Sequence, residues 1–431
     1  LESKIKNILW QSGDKLFKAF SNIIVMAIMA GYGPIVFGSF NFAISLSTLV
    51  TIIAAIGNDS LVIKEITSNF EERGIILGSA FTLRLIVWII TSALYLAYVY
   101  FGYFTPDQTL IATILLLYSL TSLSDVVDSE YQSQLKIQLS AIPRMGVQLI
   151  IFIVRVYLLL NHYPILIIAL SYAIEGVLSF LLVSFVYRKY YQNFQKPRFN
   201  KVLFLDIFNK SKPLLAGTVA TVLYMRIDQI LLEKLSTPFE LGQFSMVNRI
   251  GEALYFVPVA IAGSYMAKLV KSYLESKEDF NKALKQYMAV MIISGVVCAC
   301  GIYVAGWLAI TYYFGAAYYP AREILLIYAW CILPVAVGLA NNQYFIVKNN
   351  ERIVFIRYLM GFIINLALNL ILIPRYGAYG AAVSTLISYV LINFVSNFMF
   401  KATLPLFKAQ ISGIAEIPNL MNSLLKKNFK T

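Results

Sequence analysis

The chain is dominated by apolar stretches of the length that crosses a bilayer. A spanning helix needs about 20 mostly apolar residues. Twelve stretches reach or approach that length: 15–34, 39–57, 75–101, 108–126, 143–160 and 164–187, then 213–234, 242–268, 286–314, 321–347, 353–373 and 377–400. Hydrophobic residues fill 59% of the 431 positions and charged residues only 13%, against about 25% charged in a soluble domain. A water-soluble core of this length cannot absorb that much apolar surface, whereas helices in lipid need apolar exteriors. The predicted fold class is an all-α membrane protein of about twelve transmembrane helices.

A net charge of +13 would suit nucleic acid, but the positions of the charges argue against it. If both termini lie on one side, that side collects Lys4, Lys6, Lys15 and Lys18, then Lys64, Arg73, Lys136 and Arg144. It also collects the basic 188–212 loop, the Lys268–Lys285 group, Lys348, Arg352, Arg357 and the tail lysines, including Lys401 and Lys430. The other side keeps only Lys234, Arg322 and Arg375. Lys and Arg accumulate in cytoplasmic loops, so both termini are read as cytoplasmic and the helix count as even. The opening residue is Leu1 rather than Met, so the natural start is read as missing. The basic, polar opening lacks the layout of a cleavable signal peptide.

The sequence repeats itself in order. Pro34-x-x-x-Gly38-x-Phe40 recurs as Pro238-x-x-x-Gly242-x-Phe244, Leu115–Tyr118 as Leu325–Tyr328, and Ala169-Leu170-Ser171 as Ala382-Val383-Ser384. Six helices per half gives the halves one orientation. They are therefore expected to form two six-helix lobes, related by a pseudo-two-fold axis along the membrane normal, with a substrate site between them near the midplane. The expected division is a lobe at 1–187, a basic cytoplasmic linker at 188–212, a lobe at 213–400 and a cytoplasmic tail at 401–431.

Seven ionisable residues fall inside the apolar stretches: Arg84, Arg155, Glu175, Arg226, Asp228, Arg249 and Glu252. Each costs about 2.5–3.5 kcal/mol facing lipid at the bilayer centre, so seven would cost roughly 20 kcal/mol. That exceeds a typical net stability of about 5–15 kcal/mol. Most must face one another or a wet cavity. Arg249 and Glu252 share a helix face at i, i+3 and could neutralise each other. Arg155 and Glu175 could pair across adjacent helices, and Arg84 could snorkel to the basic surface. Arg226 and Asp228 are two apart and point to different sides. Either Asp228 holds a partner helix while Arg226 faces the cavity, or the reverse. Arginine stays charged and presents a planar fork matched to phosphate. Asn365 and Asn369 share a face at i, i+4. With Asn248 they are candidates for contacts to sugar hydroxyls, although amides also join helices.

Signals for chemistry are weak elsewhere. Cys298, Cys300 and Cys331 are read as small buried hydrophobes, and His162 as a loop residue. Asp125, Asp128 and Glu130 are read as a solvated helix end. There is no Gly-Lys-Ser/Thr phosphate loop and no His-rich metal motif, so neither an ATPase nor any other enzyme is indicated.

Several stretches then carry a resemblance. Arg226-Ile227-Asp228-Gln229-Ile230-Leu231-Leu232 followed by Glu240-Leu241-Gly242-Gln243-Phe244-Ser245 resembles the middle of polysaccharide-export flippases. Gly33-Pro34 with Phe37-Gly38 resembles their first turn. Asn369–Pro374 with Tyr376-Gly377-Ala378-Tyr379-Gly380-Ala381-Ala382 resembles their last two helices. The chain thus resembles the Wzx-type O-antigen flippases of the multidrug/oligosaccharidyl-lipid/polysaccharide (MOP) exporter superfamily, whose fold is MATE-like. The resemblance covers residues from about 12 to 400. It implies movement of undecaprenyl-diphosphate-linked oligosaccharide from the cytoplasmic to the periplasmic leaflet of the bacterial inner membrane, by alternating access. It also implies no cofactor beyond a coupling ion, H+ or Na+. Partners would be the lipid-linked oligosaccharide, the bilayer, and the polymerase and glycosyltransferases of the same pathway.

By the same resemblance Arg226 and Arg249, then Arg155 and Arg84, match basic cavity positions, with Asp228, Glu175 and Glu252 positioning charge or coupling ions. The family's first turn often has an Arg before the Gly-Pro pair. Here Gly31-Tyr32 stands there. The runner-up is a cation-coupled multidrug exporter of the same fold, which four buried arginines disfavour. A membrane glycosyltransferase or polymerase ranks below it, because no predicted periplasmic loop is long enough to carry a catalytic site.

Overall fold

The computed structural model describes residues 2–55, 59–102, 104–190, 195–348, 350–399 and 403–428. Lys401 and Lys430 lie outside them, as do residues 56–57 of the second expected span. The described residues are mostly helical, joined by short turns and the extended 195–200 segment, with no strand among them. Helices α1 (Glu2–Met29), α2 (Pro34–Ala55), α3 (Asp59–Ser68), α4 (Arg73–Phe101), α5 (Pro106–Leu116), α6 (Thr121–Ser133), α7 (Gln138–Leu160) and α8 (Ile165–Tyr190) lead to α9 (Lys201–Leu235). Then come α10 (Pro238–Glu252), α11 (Phe256–Glu275), α12 (Lys277–Tyr312), α13 (Ala321–Tyr328), α14 (Ile332–Val347), α15 (Glu351–Val390), α16 (Ser396–Met399) and α17 (Leu404–Asn428). The chain divides within α9 into two compact units, Leu1–Val222 and Leu223–Thr431.

Among the described residues ten helices or joined helices are long and apolar enough to cross a membrane, and a bent pair within α9 makes an eleventh. The largest runs over 47 residues, Arg352–Phe398. It is broken at Gly377, whose φ of 54° and ψ of −133° are not helical. Two helices thus meet in a sharp break at Gly377, and only glycine adopts that backbone cheaply. Helix starts follow local chemistry. Thr105 caps α5 with a reciprocal Gln108 contact, and Thr237 caps α10 through Glu240 N, each just before a proline at the first helical position.

Each span sorts its residues by face. On α7, Leu149, Ile150, Ile153, Val154, Tyr157 and Leu160 are exposed, while Gln148, Ile151, Arg155 and Leu159 are buried. An apolar exterior around a polar inner stripe is the pattern that lipid demands and water forbids. The chain is a multi-pass membrane protein.

The repeated segments share local features. The helix containing Leu115-Leu116 tightens to 3₁₀ at Leu117–Leu120, and the helix containing Leu325-Leu326 tightens at Ala329–Cys331. Phe40 packs edge-on against Tyr172 in the first unit, and Phe244 packs edge-on against Tyr328 in the second, both at 5.7 Å.

The segment 401–431, expected as a tail, carries α17. Leu406 and Gln410 are buried, Gly413 lies against Met288 and Ala289 of α12, and Lys285 pairs with Glu416. It is an integral part of the second unit. Cys298 and Cys331 are buried as expected, but Cys300 is exposed on the other side of α12. His162 sits in the α7–α8 turn, at a φ of 54°.

Candidate functional site

In the first unit the internal charges are neutralised close at hand. Arg155 on α7 meets Glu175 on α8 at 2.8 Å and donates from Nε to Ser171 Oγ at 2.9 Å. Its guanidinium lies 3.4 Å over the Tyr172 ring. Arg84 does not snorkel. It is fully buried, pairs with Asp59 of α3 and donates to the Ser122 carbonyl at 3.0 Å. A buried arginine is tolerated in a membrane helix when a carboxylate and carbonyls take up its donors.

The carboxylates of α6 are not a solvated helix end. Arg144 of α7 gathers Asp14, Asp125 and Asp128 at 3.3, 3.2 and 2.9 Å, which ties α1, α6 and α7 together. Glu130 is fully buried, accepts from Tyr187 Oη at 2.5 Å and meets Arg73 Nε at 3.4 Å. Arg144 and Arg73 sort with the loop cations by sequence position, yet both are largely buried in ion pairs.

In the second unit Glu252 of α10 meets Arg226 of α9 at 3.1 Å. Arg249 is partly buried on α10. Asn248 is buried and accepts from Tyr328 Oη at 3.3 Å.

Asp228 has a different setting. It is 4% exposed. Thr385 Oγ1 donates to it at 2.8 Å, and Asn369 Nδ2 donates to it directly. Asn369 also donates to Asn365 Oδ1 at 3.0 Å, and Asn365 donates to Ser388 Oγ at 3.3 Å. No Lys or Arg stands within salt-bridge distance of Asp228 among the described residues. The carboxylate is held by neutral amide and hydroxyl groups from both arms of α15. A buried carboxylate without a cationic partner is a group that can take up a proton.

Sequence reasoning placed Arg357 in a loop, but it is 6% exposed within α15. Its Nη2 donates to the Ile392 carbonyl at 2.6 Å, where the helix widens to a π turn at Leu391–Val395. Nε and Nη1 have no hydrogen-bond acceptor, and no carboxylate lies within salt-bridge distance among the described residues. A signal was present in the sequence. Arg357, Gly361, Asn365 and Asn369 recur every four residues, and all four are buried on one face. Among the described residues, the second unit therefore holds a buried cation, Arg357, without an anion in salt-bridge reach and a buried anion, Asp228, without a cation in reach.

Packed helices with apolar outer faces and buried charges define a polytopic membrane fold, and the chain is similar in fold over almost its whole length to solved membrane transporters. It covers 96% of itself and 99% of an inward-facing MATE-family multidrug transporter, with a TM-score of 0.69 at 12% identity. With the lipid II flippase MurJ in an inward closed conformation it scores 0.65 at 16% identity, over 96% of this chain and 93% of that one.

Residues 5–266 match the family described as polysaccharide biosynthesis protein, and the chain belongs to that family. It is 21% identical to the capsular polysaccharide biosynthesis protein CapF of Staphylococcus aureus over 388 residues, 89% of this chain and 96% of the relative. It is 27% identical to a putative O-antigen transporter of Shigella dysenteriae over 193 residues, 44% of this chain and 47% of the relative.

Proposed function

We propose that the chain is a flippase that carries an undecaprenyl-diphosphate-linked oligosaccharide from the cytoplasmic to the periplasmic leaflet of the bacterial inner membrane. It works by alternating access and is driven by a cation gradient. Both termini and the 188–212 linker are cytoplasmic on this reading. Family membership supports the substrate class. The observation that carries the mechanism is the separation of Asp228 from Arg357. Opposite charges buried in one unit attract strongly at low dielectric, and leaving each unneutralised costs free energy unless a ligand completes it.

Arg357 has donor groups to spare for an oxyanion, and Arg226 and Arg249 add charge in the same unit. The diphosphate is assigned to these three. Arg155 and Arg84 have their donors taken up by Glu175 and Asp59 and secure their helices. Asp228, with Asn365, Asn369 and Thr385, takes the coupling ion, H+ or Na+. A cation-exporting role would leave Arg357 facing the wrong charge.

Deleting the gene in its host tests the reading. Lipid-linked repeat units should accumulate on the inner leaflet while surface glycan falls, and the intact gene supplied in trans should restore display. Unchanged glycan display after deletion would remove the proposal.

A further inference from the structure

The first unit contains a cavity that the transport reading does not use. Its volume is about 520 Å³, within the range of about 300–1,000 Å³ typical of small-ligand sites. Leu77 and Phe81 of α4, Leu123 and Val126 of α6, and Phe180 of α8 supply apolar walls. Arg188, in the last turn of α8, and Lys196 line the same cavity and are exposed. Neither has a carboxylate within salt-bridge distance among the described residues. The nearby acid, Glu130, is engaged by Arg73 and Tyr187.

The wall that carries Lys196 and Pro197 is fixed in place. Arg198 N donates to the Gly74 carbonyl at 3.0 Å, and Gly74 N donates to Gln195 Oε1 at 3.1 Å. Asn200 N donates to Ser79 Oγ at 3.2 Å. The strap lies so close to α4 that a Cβ on Gly78 would sit 2.3 Å from the Arg198 carbonyl oxygen. The chamber is therefore built: apolar inside, cationic at its exposed end, on the Lys- and Arg-rich side of the protein.

We propose that this cavity binds an anionic glycerophospholipid of the adjoining leaflet, one acyl chain inside and the phosphate at Arg188 and Lys196. Charge selects the occupant. Basic pockets between helices on the cytoplasmic side hold anionic head groups, and the apolar wall adds burial of the chain. The size of the cavity suits a fatty acyl chain rather than the much longer undecaprenyl chain.

Native mass spectrometry on the purified, delipidated full chain tests this without transport as a readout, so its outcome is independent of the flippase reading. Palmitoyl-oleoyl phosphatidylglycerol should form a retained one-to-one adduct, at least about tenfold tighter than phosphatidylcholine with the same chains. The exposed-residue double variant Arg188→Ala/Lys196→Ala should lose that preference, and Val127→Trp, which fills the cavity, should lose the adduct. Equal retention of the two lipids, or an unchanged preference in the double variant, would overturn the proposal. Displacement of phosphatidylglycerol by inorganic phosphate alone would overturn it by showing a head-group site without a chain. Preferential displacement by undecaprenyl phosphate would overturn it by assigning the cavity to the carrier lipid.

Discussion

Asn369 donates directly to Asp228, and Thr385 donates to the same carboxylate from the other side of the Gly377 kink. One charge on α9 thus joins the two arms of α15. On the proposed coupling role, protonation or cation binding at Asp228 would change how strongly it holds those arms. Asp228→Asn keeps the size and most of the hydrogen bonding but removes the charge. It should lower gradient-driven transport by about tenfold or more, equivalent to about 1.4 kcal/mol in the barrier. The protein should still accumulate in the membrane. Transport measured under imposed Na+ and H+ gradients reads this. Unchanged dependence on both gradients would exclude Asp228 as the coupling group.

Arg226→Ala leaves the partly buried Glu252 without its partner, at a cost below the roughly 3–5 kcal/mol of a fully buried pair. It should abolish surface glycan display, and Arg226→Lys should retain part of it by keeping the charge without the fork. Folding and function separate in the double variant Arg226→Met/Glu252→Met, which removes both charges. That protein should regain its membrane level but not glycan display. Full display in Arg226→Ala at normal protein level would make Arg226 a packing residue.

Arg357→Gln can keep a hydrogen bond to the Ile392 carbonyl while discarding the charge. Transport should fall by about tenfold or more, with little change in melting temperature. A fall in melting temperature without loss of transport would assign Arg357 to the π turn alone.

Gly78→Ala places a methyl group where the Arg198 backbone lies. The strap should lift from α4, and limited trypsin digestion should then cut faster after Arg198, since Pro197 blocks cleavage after Lys196. An unchanged cleavage rate would show that the strap tolerates the added volume.

Topology follows from the charge distribution. Reporter fusions after Thr105 and after Ala317 should read as periplasmic, and fusions within 188–212 as cytoplasmic. A cytoplasmic signal at both Thr105 and Ala317 would overturn the helix arrangement.

The membrane fold was legible because lipid imposes length and polarity on every span, and the Thr-Pro entries to α5 and α10 mark their own starts. Pairing was legible only where a single partner was in reach, as for Arg155 and Glu175. The contact of Glu252 with Arg226 on another helix was not visible in sequence spacing. Depth was misread at Arg144 and Arg357, because proximity to a basic loop does not reveal which face a side chain takes. The Arg357-Gly361-Asn365-Asn369 stripe carried that information. The helical tail escaped notice because α17 mixes charged residues with a narrow apolar face, whose burial depends on α12.

The central claim is movement of a lipid-linked glycan between leaflets. The direct measurement uses proteoliposomes containing the purified protein and a fluorescent lipid-linked oligosaccharide extracted from the host. The accessibility of the sugar to an external glycosidase is followed over time. The account predicts that protected substrate becomes accessible in the presence of the protein, faster under a cation gradient, and that Asp228→Asn removes the acceleration. Accessibility no faster than in protein-free liposomes, with the protein shown to be folded, would contradict it.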